Sequence, residues 1–261
     1  MRARKRFGQH FLTDPAVIDA IVDAVAPAPT DTLVEIGPGR GAITGPLARR
    51  AAKLHAVELD RDLAGRLRRR FASDERLTLH EADALQFDFS ALGESLRLVG
   101  NLPYNISTPL LFHVLTHRRA IRDMHFMLQK EVVDRIAAQP GSKAFGRLTI
   151  MLQCALSAAK LFDVPPGAFD PPPAVTSAVV RLEPLPVVAV HDMTRLSRIV
   201  ATAFSQRRKT LRNALAAVAP ADALEALGID AGLRPENLGV DDWVRLANEL
   251  PADTDSRGGT R

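Results

Sequence analysis

One cysteine, Cys154, in 261 residues excludes an internal disulfide and any zinc cluster built on cysteines. That economy suits a reducing cytoplasm. Tyrosine and tryptophan also occur once each, as Tyr104 and Trp243. No segment approaches the ~20 apolar residues needed to cross a bilayer. The basic N-terminus is not followed by an apolar run of signal-peptide length, so the chain reads as soluble and cytoplasmic. The seven histidines show no metal-ligand spacing, and no metal is expected. Acid is missing from two stretches. Met1 to Thr13 carries Arg2, Arg4, Lys5 and Arg6, and Met193 to Ala221 carries Arg195, Arg198, Arg207, Arg208, Lys209 and Arg212. The net charge is only +4, but the isoelectric point near 9.6 and this clustering point to a polyanionic partner.

What is present suffices for a globular core, since 46% of the residues are hydrophobic. Asp14-Pro15 is a helix start, and Val17, Ile18, Ile21, Val22 and Val25 come after it at helical spacing. From Thr32 to Ala138 short apolar strands alternate with helices: strands at Leu33–Ile36, Leu54–Leu59, Leu77–His80, Leu96–Gly100 and Met124–Leu128. This rhythm predicts a parallel sheet covered on both faces. Arg147 to Ser157 reads as a helix. Val164 to Pro173 is a proline-dense loop, and Val175 to Leu182 a late, antiparallel strand. Pro184 and Pro186 mark a boundary beyond which only helical patterns occur. The expected organisation is a basic arm over 1–13, an α/β domain over 14–185, a small all-helical domain over 186–250 and a disordered tail over 251–261.

Five features carry chemistry. Glu35-Ile36-Gly37-Pro38-Gly39-Arg40-Gly41 ends the first sheet strand. Its glycines permit a tight turn and close ligand approach, although a bare strand–helix turn would use them too. Glu58 ends the next strand, about 20 residues on, where an acid can accept from both ribose hydroxyls or simply be a solvated strand-end acid. The spelling G-x-G-x-G lacks the third spacing that seats a diphosphate, so an adenosine without a diphosphate fits better. Asp83 comes after the third strand, where its carboxylate can accept from an adenine amino group or form a turn. Asn101-Leu102-Pro103-Tyr104 comes after the fourth. It delivers an amide, a rigid kink and an aromatic together at the carboxyl edge of the sheet. The Asn101 oxygen and the Leu102 or Pro103 carbonyl can take both hydrogens of a purine amine, and Tyr104 can stack on the base. The purely structural alternative is a strand-to-helix turn with Ser107 or Thr108 as N-cap. Phe169, in a stiff loop, either covers the base opposite Tyr104 or anchors its loop to the core. Arg207, Arg208 and Lys209, with the arm, are candidates for phosphate contacts. Cys154 and Trp243 are assigned to packing.

These motifs, with Gly8-Gln9-His10-Phe11-Leu12, Phe169-Asp170-Pro171-Pro172-Pro173 and Phe204-Ser205-Gln206-Arg207-Arg208-Lys209-Thr210-Leu211, resemble in order and spacing the KsgA/RsmA family of small-subunit rRNA adenine N6,N6-dimethyltransferases. The resemblance spans about residues 4 to 250. It implies a Rossmann-like class I methyltransferase sheet with a helical C-terminal domain, and S-adenosylmethionine as methyl donor. His10 (through side chain or backbone), Leu12, Gly37, Gly39, Glu58, Asp83 and Asn101 would form the donor site. It also implies a substrate of two adjacent adenosines in a hairpin near the 3′ end of 16S rRNA in the 30S subunit or its precursor, and action as a monomer late in subunit assembly. Two alternatives stand beside it: an Erm-type 23S rRNA adenine methyltransferase, separable by drug susceptibility, and a non-catalytic RNA-binding assembly factor, separable by a methyl-transfer assay.

Overall fold

The computed structural model describes residues 10–250. Most of the basic arm and the whole C-terminal tail lie outside them. The described chain falls into two compact units. One takes the residues up to Asp134 together with Leu156–Pro184, and the other takes Arg135–Ala155 and the residues from Leu185 onward.

The first unit runs β1 (Phe11–Leu12), α1 (Pro15–Val25), β2 (Thr32–Ile36), α2 (Thr44–Arg50), β3 (Lys53–Glu58), α3 (Arg61–Arg70), β4 (Leu77–Glu81), β5 (Leu96–Asn101), α4 (Ser107–Thr116) and β6 (Ile121–Gln129). Helix α5 (Lys130–Ile136) then leads into the second unit. Seven strands form the main sheet in the order β4-β3-β2-β5-β6-β9-β7, where β7 is Leu156–Val164 and β9 is Ser177–Pro184. The first five are mutually parallel, and β9 runs antiparallel to both neighbours. The expected α/β class is therefore observed. Strand β2 is buried along nearly all its length, as a parallel strand covered on both faces must be.

Local chemistry starts the helices where the sequence indicates. The Asp14 carboxylate accepts from the Ala16 and Val17 N–H groups ahead of α1, and Asp60 does the same for Asp62 and Leu63 ahead of α3. At the amino end of the sheet Arg97 is buried between Asp123 and Asp31, with Nε to Asp123 Oδ1 at 3.0 Å and Nη1 to Asp31 Oδ2 at 2.7 Å. Burial would raise the Asp31 carboxyl, but the Ala28 N–H and Arg97 win and hold it below the ordinary carboxylate value. This network ties α1 to the sheet, because Arg97 also donates to the Val25 and Ala26 carbonyls.

Strand order reverses between β2 and β5: the strands before the switch extend to β4, and those after it extend to β6. The helices that succeed two such strands diverge, leaving a crevice at their carboxyl ends.

Three expectations fail. The helix read over Arg147 to Ser157 is α6 (Arg147–Gln153), and the chain then continues as the nine-residue strand β7. The alanines at 155, 158 and 159 favour a helix locally, but pairing along β9 overrides that preference. The proline-dense loop contains a two-residue strand, β8 (Phe169–Asp170), paired antiparallel with β1. Finally, a contiguous cut at 185/186 is not the division observed, because residues 135–155 belong with the helical unit. There α6 packs on α7 (Met193–Ser205) and on α10 (Val240–Glu249), and Gln153 donates back to the Ile136 and Ala138 carbonyls. The same unit holds α8 (Leu211–Ala214) and α9 (Ala221–Ala226). Its core includes the fully buried Trp243, whose ring lies 5.9 Å from that of Phe204, and the buried Cys154, so both have the packing role read from the sequence.

Candidate active site

A cavity of about 170 Å³ opens at the switch point, within the first unit. His10, Leu12, Gly37, Gly39, Glu58, Asp83, Asn101, Leu102, Pro103 and Tyr104 all line it. Residues from widely separated stretches of sequence thus meet at one place.

The glycine turn forms one wall. Gly37, Gly39 and Gly41 have φ of +68°, +59° and +79°, a region that side-chain-bearing residues avoid. A Cβ on Gly39 would also lie 3.2 Å from the Phe11 ring. The Gly39 N–H donates to Glu58 Oε2 at 3.1 Å, and the Asp60 N–H to Glu58 Oε1 at 2.9 Å. The acid at the end of β3 is therefore held by backbone donors. It is 6% exposed, which decides against a solvated strand-end role. Burial raises its pKa, the two N–H groups oppose the shift, and the Asp60 charge adds to it.

The end of β5 and the chain just after it line the cavity next to the glycine turn, since a Cβ on Gly37 would lie 3.8 Å from the Asn101 carbonyl oxygen. The Leu102 N–H donates to the Met127 carbonyl, which fixes the corner to β6. Asn101 Nδ2 donates to the His10 carbonyl at 3.0 Å. With its nitrogen engaged there, the amide is oriented and Oδ1 remains its acceptor. The Tyr104 hydroxyl lies 2.7 Å from Ser177 Oγ, and the Tyr104 ring stacks against His10 with centroids 5.8 Å apart. His10 Nδ1 is 2.8 Å from the Pro171 carbonyl. Both parts of His10 are thus engaged: its carbonyl accepts from Asn101 and its ring stacks on Tyr104. Ser107 is not an N-cap, as the structural alternative had it. It is the first residue of α4, preceded by Ile106 without a side-chain cap, and its hydroxyl donates to the Tyr104 carbonyl.

The lining is rich in acid. Glu58, Asp60 and Asp83 contribute, together with Glu35, whose charged form burial disfavours, and among the described residues the one arginine in the lining is Arg40. Arg40 is held at the rim, 2.9 Å from Asp170 Oδ2 and 4.1 Å above the Phe11 ring. Such a lining favours a ligand that carries positive charge. Asp83 Oδ1 accepts from the Leu85 N–H at 2.9 Å, so one of its oxygens has the turn-forming role.

Two buried ionisable residues in this lining were not singled out from the sequence. Glu35, on β2, is 1% exposed, and its Oε2 has no hydrogen-bond partner among the described residues. Burial pushes its carboxyl up to about 8, the Glu58 charge adds to the shift and the Thr44 hydroxyl opposes it. His125, on β6, is 3% exposed with neither ring nitrogen satisfied among the described residues, and burial lowers its pKa. The available signal was a charged or polar residue inside an otherwise apolar strand. Phe11, which covers Gly39, had no signal beyond its place in Gly8-Gln9-His10-Phe11-Leu12.

Two expectations need correction. Phe169 does not line the cavity. It is 4% exposed and belongs to the core cluster with Leu12, Ile21, Val164 and Val179. Its register partner in the β1–β8 pair is Leu12, so pairing turns the ring inward and it anchors the loop. Arg207 is likewise not presented as a phosphate ligand. Its guanidinium pairs with Glu236 and donates to the Lys143 carbonyl at 2.8 Å, which ties a loop of the helical unit. Arg208 and Lys209 are exposed.

The family model for ribosomal RNA adenine dimethylase matches residues 1–252. The chain is 57% identical over 253 residues to a ribosomal RNA small subunit methyltransferase A of Aromatoleum aromaticum, covering 96% of this chain and 95% of that protein. It is 59% identical to the protein of the same name from Thiobacillus denitrificans, covering 95% and 97%. Among solved structures it resembles a dimethyladenosine transferase from Plasmodium falciparum, with a TM-score of 0.81, 26% identity and coverage of 91% and 96%. It also resembles the 23S rRNA methyltransferase ErmE, with a TM-score of 0.75, 25% identity and coverage of 92% and 99%.

Proposed function

The chain belongs to the ribosomal RNA adenine dimethylase family, and on that premise we propose that it dimethylates N6 of two adjacent adenosines in a hairpin near the 3′ end of 16S rRNA. S-adenosylmethionine is the methyl donor, and the 30S subunit or its precursor is the substrate. The chain acts in the cytoplasm as a monomer. Relatives at 57% and 59% identity that are named for the small subunit favour this over an Erm-type activity, since ErmE is 25% identical.

The lining fits the donor. Glu58 suits the ribose hydroxyls, Asp83 an adenine amino group, and the Gly37–Gly39 backbone a close approach. The several carboxylates complement a sulfonium and an ammonium. When bound, the donor supplies an electrophilic methyl group with a neutral thioether as leaving group.

The chain's own residues do the rest. The target adenine leaves its stack to enter the cavity. Tyr104 offsets part of that cost by stacking, a contact worth ~1–3 kcal/mol. His10, rather than Phe169, backs the aromatic side. Asn101 Oδ1 accepts one N6 hydrogen. The Pro103 carbonyl is taken by the Ile106 N–H, which favours the Leu102 carbonyl as the second acceptor. Two acceptors pull N6 toward a pyramidal geometry with an available lone pair and stabilise the positive charge it gains. Held by the Asn101 and Leu102 acceptors, N6 would take the methyl group and then release a proton to water.

The observation that carries this reading is the Asn101 amide, oriented by the His10 carbonyl in the cavity that the glycine turn also lines. Asn101→Ala is expected to lose about 100-fold or more in methyl transfer, the scale of removing one transition-state acceptor, with RNA affinity near normal. Labelled donor and undermethylated 30S subunits, with subsequent mapping of the modified nucleotides, provide the test. Full activity in the variant rejects the assignment.

A further inference from the structure

Helices α2 and α3 carry an arginine track that the catalytic reading does not use. Arginine dominates α3, at positions 61, 66, 68, 69 and 70, against a first-turn acid, Asp62. These residues divide by partner. Arg61 and Arg68 reach Glu81 on β4. Arg66, Arg69 and Arg70 lie at i, i+3 and i+4, on the same side of the helix. Arg70 donates to the Arg40 carbonyl at 2.8 Å, which joins this side of α3 to the rim of the cavity. Arg49 on α2 meets it from the other side. A Cβ built on Gly45 would lie 3.5 Å from both an Arg49 guanidinium nitrogen and the Phe71 ring, so that guanidinium sits beside the C-terminal end of α3.

Among the described residues Arg49, Arg66 and Arg69 are exposed and have no carboxylate within ion-pair distance. Nearby arginines are paired instead: Arg50 with Asp23, Arg76 with Asp74 and Arg40 with Asp170. Cations at the end of α3 do complement the helix dipole. That accounts for Arg69, but not for Arg66 in mid-helix or for Arg49 on another helix.

We propose that Arg49, Arg66 and Arg69, continued toward the cavity rim by Arg70, form a phosphate-binding track for the rRNA backbone that flanks the target adenosine. The inference rests on the rRNA-methyltransferase reading. Guanidinium suits the partner, because it forms paired hydrogen bonds with phosphate and gives up water more readily than ammonium. The track carries no sequence information. It holds the sheet unit on the RNA while the cavity receives the base.

The test compares the full chain with two triple variants, Arg49→Gln/Arg66→Gln/Arg69→Gln and Arg49→Lys/Arg66→Lys/Arg69→Lys. Affinity for undermethylated 30S subunits and for protein-free 16S rRNA is measured between about 50 and 200 mM salt. Three lost phosphate contacts lower the slope of log K against log salt by about 2 to 3. The advantage of the wild type over the glutamine variant should therefore shrink about 40-fold across that range. The lysine variant keeps the wild-type slope, and S-adenosylmethionine affinity is unchanged in all three proteins. An unchanged slope in the glutamine variant, or equal losses in both variants, overturns the track. A loss toward 30S subunits but not toward protein-free rRNA also overturns it, in favour of an acidic protein surface. A wild type that methylates no rRNA adenine rejects the functional reading instead, and a wild type that does so while the glutamine variant keeps its slope removes the track alone.

Discussion

Gly100 marks a close approach between the two strands that flank the switch. It is the next-to-last residue of β5, directly before Asn101. A Cβ there would lie 2.5 Å from the Ile36 carbonyl oxygen and 3.0 Å from Leu102 Cδ2. The leucine end can rotate away. The oxygen cannot, because it is backbone at the end of β2, whose ladders run to both β3 and β5. To reach even a tight contact the strands must part by roughly half an ångström to one ångström. Overpacking of this kind costs about 1–3 kcal/mol, and for a chain of this size each kcal/mol lowers Tm by about 2–4 °C. The larger effect is on chemistry. Asn101 is carried by the next peptide, and a misplacement near 1 Å at a reacting group costs about 100-fold. Gly100→Ala should therefore bind RNA and donor with modest change, melt a few degrees lower and lose about 100-fold in kcat. Single-turnover methyl transfer at saturating donor and RNA, with thermal melts, measures both. Gly167→Ala is the control, since its Cβ would meet nothing within 4 Å. Wild-type kcat and Tm in Gly100→Ala would refute the claim that this contact sets the position of Asn101.

The remaining expectations use the same geometry. Glu35 in the folded chain has a pKa near 8, above its ordinary 4.5, so the folded state keeps a proton that the unfolded state releases, and stability falls as pH rises from about 4.5 to about 8; Glu35→Gln should flatten that dependence in urea denaturation across the range. His125 has the opposite sign: burial lowers its pKa, so its contribution is full above about 6.5 and declines as pH falls below that value. Tyr104→Ala should lose ~1–3 kcal/mol of base stacking, about 5- to 150-fold in kcat/KM for RNA, and should also lower Tm, because the buried Ser177 hydroxyl loses its partner. Phe169→Ala should act mainly on stability, costing about 3–5 kcal/mol as a core truncation, with any kcat loss arising only through the loop that holds His10; a kcat loss without a Tm loss would return Phe169 to the cavity. Arg97→Met leaves Asp123 buried without its arginine and Asp31 with Arg122 alone, and should cost about 3–5 kcal/mol in equilibrium unfolding, with donor affinity intact because Arg97 lies at the opposite end of β5 from Asn101.

The cavity was legible in the sequence because its residues sit at the ends of strands that periodicity locates. Gly37, Gly39, Glu58, Asp83 and Asn101 each succeed or end an apolar run, and a parallel sheet gathers such ends along one edge. Two things were hidden. One is pairing without periodicity: β1 and β8 are two residues each, too short for any pattern, yet their register decides that Phe169 turns inward and that Phe11 covers the glycine turn. The other is the competition for side chains. Arg207 reads as a free cation in a basic run, and only the fold brings Glu236 and the Lys143 carbonyl to it. Strand β7 was missed for a third reason, because its alanines favour the helix that the β9 ladder overrules.

These hidden contacts give Asn101 its orientation. An asparagine at the end of a strand has an amide that rotates, and in the flipped orientation it would turn a donor toward the purine amine. The His10 carbonyl removes that choice by accepting the Nδ2 hydrogen. His10 is in turn held at Pro171, two residues from Phe169, and Phe169 is held by Leu12 and the core. A residue that the sequence suggested as a base-stacking surface thus acts at one remove. By fixing the loop that fixes His10, Phe169 keeps the carboxamide oxygen of Asn101 as its available acceptor, so packing in the core and the polarity of the reacting corner are linked through two hydrogen bonds.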